Sequence, residues 1–182
     1  MLKRWLTAGA LALALSGFAA GEASALQAKC LWENLPPYTR KAMLTAYRDK
    51  GINALNTVSV SEADMAMLPK ACGLDEGNSD LASQMIGAYM LEMGASAVMT
   101  ERFGLPVGAL DRSWNGLSDN TRGRMRLYAV QIMAGRKVAD NPINDGVAAM
   151  RDSLNIQSPE AITQLVAYSL GRALREAREA GQ

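Results

Sequence analysis

The sequence predicts an all-α chain. Apolar residues recur at helical spacing, and Gly and Pro fall at the ends of those periodic runs. The one stretch with strand-like alternation, Asn56 to Ser61, is short and lies between helical segments.

The elements follow in order. Pro36 and Pro37 suit a helix's first turn, where a missing N–H costs nothing, and the run continues to Lys50 before Gly51. Ser61 with Asp64 resembles a capping box and starts a short helix, disturbed at Pro69 and closed by Gly73. Asn78 or Ser79 opens a long helix to Phe103, with Gly104 beyond it. Val107 to Asn115 fits a smaller helix, and Ser118 caps another that ends near Gly135 or Arg136. Lys137 to Asn144, containing Asn141-Pro142, reads as a loop, and Asp145 to Leu154 as a short helix. Ser158-Pro159-Glu160 combines an N-cap, a Pro at the first helical position and an acidic first turn, so the last helix runs from there to about Glu179. The expectation is a single domain of six or seven helices.

Two helices lack the usual polar face. Leu81 to Thr100 carries a single charged residue, Glu92, and Ala161 to Gly171 carries none. A helix apolar all round is surrounded by protein or lipid. Ser83, Gln84, Gly87, Glu92, Gly94 and Ser96 make the first too polar for a Leu-rich membrane span, so both are expected as central core helices. They also belong to an internal repeat. Leu35, Thr39, Arg40 and Met43 recur as Leu117, Thr121, Arg122 and Met125, 82 residues later. Ser83-Gln84-Met85-Ile86 recurs as Thr163-Gln164-Leu165-Val166 at an offset of 80. The reading is a duplicated three-helix unit, residues 30–104 and 112–180, around the two apolar helices. It sets Glu92 opposite Arg172, and a buried Glu needs such a partner, so the two are expected to pair.

The N-terminus has the layout of a secretory leader: Lys3 and Arg4, an uncharged run from Trp5 to Phe18, then Ala23-Ser24-Ala25 before Leu26. Residues 1–25 are expected to be removed, leaving 26–182 in the periplasm or outside the cell, with no stable membrane insertion. Lys3, Arg4 and Glu22 leave with the leader, so of 19 basic and 18 acidic residues 17 of each remain. A neutral chain has no long-range field to draw it onto nucleic acid or an anionic membrane. Cys30 and Cys72, in an exported chain, are expected to form one disulfide.

Chemistry is thinly signalled. The chain has no His, which removes the usual general base and the commonest metal ligand. Met65, Met67, Met85, Met90 and Met93 sit at spacings that fit core filling better than a Cu(I) site. Asp75 to Asp80 lacks the bidentate Glu of a Ca²⁺ loop, since Ile86 stands there, and reads as a turn leading into a helix. No metal or cofactor is expected. Arg122 and Arg126 share a helix face and could hold an anion, although pairing with Asp119 is the plainer expectation. Trp114 either anchors an interface or plugs the seam between the repeats. These features point to a non-catalytic module that binds an envelope protein. The alternatives are a carrier of an apolar ligand between the central helices near Gln84 and Gln164, or an enzyme using Glu92, with catalysis the less favoured.

Overall fold

A computed structural model describes residues 26–75 and 77–181; the leader read at 1–25 lies outside them. Among the described residues the chain forms eight α-helices and no strand. They are α1 (Ala28–Asn34), α2 (Pro37–Lys50), α3 (Glu62–Ala66), α4 (Ser79–Phe103), α5 (Ala109–Asn115), α6 (Asp119–Met133), α7 (Pro142–Ser153) and α8 (Pro159–Glu179). Gly51–Asn56 and Lys70–Cys72 are short 3₁₀ segments.

Local chemistry sets most boundaries. The hydroxyls of Ser61, Ser118 and Ser158 accept from the backbone N–H of Asp64, Thr121 and Ala161, satisfying a first-turn donor of α3, α6 and α8. Gly104 ends α4 in the left-handed region at φ 68°, and Leu105 N–H returns to the Met99 carbonyl. Asn78 does not cap α4 with its side chain. Its Oδ1 accepts from Asp75 N–H at 2.9 Å and its Nδ2 donates to the Gly73 carbonyl at 2.8 Å, which folds the preceding turn.

Three boundaries differ from the sequence expectation. α1 was not anticipated, because nothing caps it. Burial of Leu31 and Trp32 and the Cys30–Cys72 disulfide hold it instead, and it is the helix beyond the expected seven. α7 begins at Pro142 rather than Asp145: Asn141-Pro142 is an N-cap and first-turn Pro, with Asn141 Oδ1 accepting from Ile143 N–H at 3.2 Å. α5 begins at Ala109 because Gly108 before it is left-handed.

α4 and α8 form the centre and run antiparallel: Gly171 lies against Ala88 and Leu91, while Arg178, farther along α8, reaches back to Gln84. A Cβ at Gly171 would stand 2.5 Å from the Ala88 carbonyl oxygen, so only glycine permits this approach. α1 and α2 pack on α4, and α6 and α7 on α8. α4 is therefore buried on most of its circumference, which explains why Glu92 is the one charged residue between Leu81 and Thr100. No described helix is long and apolar enough to cross a membrane.

Candidate functional site

An apolar cleft of about 340 Å³ opens along the seam of the central helices. α4 contributes Gln84, Gly87, Ala88 and Leu91, and α8 contributes Leu170 and Leu174. The cleft's other walls are Leu55, Val58 and Val60 from the segment after α2, Met43 from α2 and Met133 from α6. Gly87 helps set its depth: a Cβ there would come within 3.0 Å of Leu55 Cδ2. Asn56, Ser59 and Ser83 are exposed polar residues on its walls. The arrangement is that of a small-molecule site, apolar with a few polar groups able to orient a ligand.

Beside the cleft, but outside its walls, lies an ion network built on α8. Glu92 is buried, and guanidinium groups take both its oxygens. Arg175 Nε donates to Oε1 at 2.5 Å and Nη2 to Oε2 at 3.2 Å, while Arg172 Nη1 reaches Oε2 at 3.2 Å. Arg172 also donates to Asp111 at 3.0 Å and to Glu176 at 2.7 Å, and Arg175 to Glu179 at 2.7 Å. Burial pushes the Glu92 carboxyl above the usual range, and the two guanidiniums offset this only in part. Burial opposes the charge of both arginines, yet Glu92 holds each above its ordinary value. With both oxygens occupied and no face on the cleft, this carboxylate has no position for acid–base work on a ligand there.

The other sequence-selected residues scatter. Gln84 and Gln164 are not brought together. Gln84 accepts from Arg178 at 3.2 Å, whereas Gln164, near the opposite end of the α4–α8 pair, accepts from the Tyr47 hydroxyl at 2.7 Å. Only Gln84 lines the cleft. Trp114 is fully buried, so it plugs the interior and offers no surface for an interface; its indole Nε1 donates to Glu176 at 3.0 Å. Arg122 pairs with Asp119, and Arg126 lies 3.7 Å from Glu176, so the two do not converge on a shared anion site. Between Asp75 and Asp80, Asp75 Oδ1 accepts from Gly77 N–H at 2.8 Å, and Ser79 and Asp80 already belong to α4. No group of three or more potential metal-ligating Cys, Asp or Glu side chains occurs among the described residues. Cys30 and Cys72 are bonded to each other.

Sequence reasoning missed Arg175, Glu176 and Asp111. A helical signal for the first two was present: Arg172 and Glu176 are four apart, Arg175 lies three beyond Arg172, and Glu179 completes a second four-residue pair. Asp111 had none, because it arrives from α5 by tertiary packing alone.

Compared with protein-family profiles, with curated proteins and with solved structures, the chain shows no match.

Proposed function

We propose that this chain is a non-catalytic carrier that binds a small apolar molecule in the α4–α8 cleft. The single observation behind the reading is the cleft itself: 340 Å³ of largely apolar space beside glycine-thinned core helices. A cavity of roughly 150 Å³ suffices for benzene, so the ligand has the bulk of about two aromatic rings or an equivalent alkyl chain. Gln84 and the polar residues Asn56, Ser59 and Ser83 suit a molecule with one hydrogen-bonding end. The protein-interaction module that leads on sequence grounds stands as the second reading; the carrier is favoured because Gly87 and Ala88, two small residues of α4, line the cleft.

The carrier works outside the cytoplasm. The leader-like segment at 1–25 and a disulfide between the two cysteines support that location. The scaffold is a duplicated unit, a reading supported by a further match: Trp32 and Trp114 are 82 apart, like Leu35 and Leu117. Leu91 and Gly171, which meet where the central helices cross, are 80 apart, like Ser83 and Thr163.

Fluorescence titration with N-phenyl-1-naphthylamine, a neutral two-ring-sized probe, tests the carrier reading. Saturable one-to-one binding is expected, weakened at least tenfold by Ser59→Trp, which places a bulky ring against the cleft from an exposed position. Equal binding by that variant, or no saturable signal at all, sinks the carrier.

A further inference from the structure

A second concavity lies beyond the cleft and shares Val60 and Ser83 with it. It is a trough of about 970 Å³ between α3, the loop at Leu74–Asp75 and the start of α4. Val60, Met65, Leu68 and Leu74 supply its apolar surface. Three exposed carboxylates, Glu62, Asp75 and Asp80, stand around it against one ammonium, Lys70. None of the three acids forms an ion pair among the described residues.

We infer that this trough docks a cationic, amphipathic segment of a partner protein, with apolar side chains on the floor and Lys or Arg against the acidic rim. The helix dipole accounts for Asp80 in the first turn of α4 wherever its carboxylate points. The dipole of α3 likewise suits Glu62 in its first turn, and Asp75 Oδ1 accepts from Gly77 N–H, but neither effect brings these two carboxylates and Asp80 around one apolar floor. A rim of three carboxylates against one ammonium repels itself and attracts positive charge from solution. The trough has nearly three times the volume of the cleft, and most of its wall residues are exposed. That shape suits an extended chain segment, which covers the floor along its length, better than a compact ligand, which needs enclosure. Met67, 58% exposed on the turn after α3, extends the apolar surface outward.

The inference does not depend on the carrier reading, and its test keeps the two apart. The full chain is titrated, by fluorescence anisotropy, with a labelled Leu/Lys amphipathic peptide and with the same peptide bearing Glu for Lys. The Lys peptide is expected to bind one-to-one, at least tenfold tighter than the Glu peptide, and to weaken several-fold as salt rises. Asp75→Lys with Asp80→Lys is expected to reduce its affinity at least tenfold, and Leu74→Ser to reduce it several-fold at unchanged net charge. Asp152→Lys, on exposed α7 surface, is the charge control and is expected to leave affinity unchanged. Thermal melts and naphthylamine binding report separately on folding and on the cleft. Equal binding of the two peptides overturns the proposal. So does full affinity in the folded Asp75→Lys/Asp80→Lys variant, or the same loss from Asp152→Lys.

Discussion

Glu92 and Asp64 are two buried acids held in opposite ways. Glu92 relies on two guanidiniums, and removing one partner of a buried ion pair costs about 3–5 kcal/mol. Arg172 keeps Asp111 and Glu176, and Arg175 keeps Glu179, when Glu92 is neutralised. Glu92→Gln is therefore expected near the lower end, about 3 kcal/mol in urea unfolding; a loss below about 1 kcal/mol would show the pair to be incidental. Asp64 has no cation partner among the described residues. Hydrogen bonds from the Tyr38 hydroxyl at 2.5 Å and the Thr39 hydroxyl at 2.7 Å hold its carboxyl below the ordinary aspartate range. The unfolded chain therefore binds this proton more readily than the folded one. The stabilisation is present above the unfolded pKa of about 3.9 and is lost as pH falls through the lowered folded value. Asp64→Asn is expected to flatten the acid limb of the stability profile below pH ~4. An unchanged acid slope in urea melts across that range would contradict the assignment. From sequence, Asp64 was legible only as the cap partner of Ser61. Its bonds to Tyr38 and Thr39 depend on how α3 packs on α2.

At the scale of elements, the crossing of α4 and α8 is a close approach to backbone that a single methyl group would disturb. Gly171→Ala sets a Cβ against the Ala88 carbonyl and the Leu91 side chain, and backbone cannot swing away as a side-chain tip can. Overpacking of this kind costs about 1–3 kcal/mol, more than the helix propensity that alanine adds. A net gain in melting temperature for Gly171→Ala would mean the helices are not in this contact. The start of α8 offers a smaller effect: Ser158→Ala removes the Ala161 cap and is expected to cost about 1 kcal/mol by chemical denaturation. Such ends were legible because a cap, a Pro and an acidic first turn act within a few residues. α1 was not, since its helicity comes from Leu31, Trp32 and a disulfide to residue 72. At α7 the signal was present but ambiguous, because Asn-Pro serves both as a turn and as a helix start.

Across the whole molecule, the disulfide anchors α1 to the segment ahead of α4, and Gln27 N–H donates to the Cys72 carbonyl beside it. Closing a loop of this size stabilises by about 4 kcal/mol as an upper figure. Cys72→Ser is therefore expected to lower the unfolding free energy by about 2–4 kcal/mol, and an unchanged value would place the bond outside the cooperative unit. The amino-acid order determined the helical class, most helix ends and the two apolar central rods, because periodicity and capping act over one or two turns. An offset of 80 residues read in it also pointed to position 172 as a partner of Glu92, and Arg172 Nη1 reaches that carboxylate. Tertiary packing alone decided that Arg175 joins that pair, that Trp114 faces inward, and that Gln84 lines a cleft while Gln164 is held by Tyr47. Those outcomes depend on which side chains meet across helices distant in the chain, and no local pattern records that meeting.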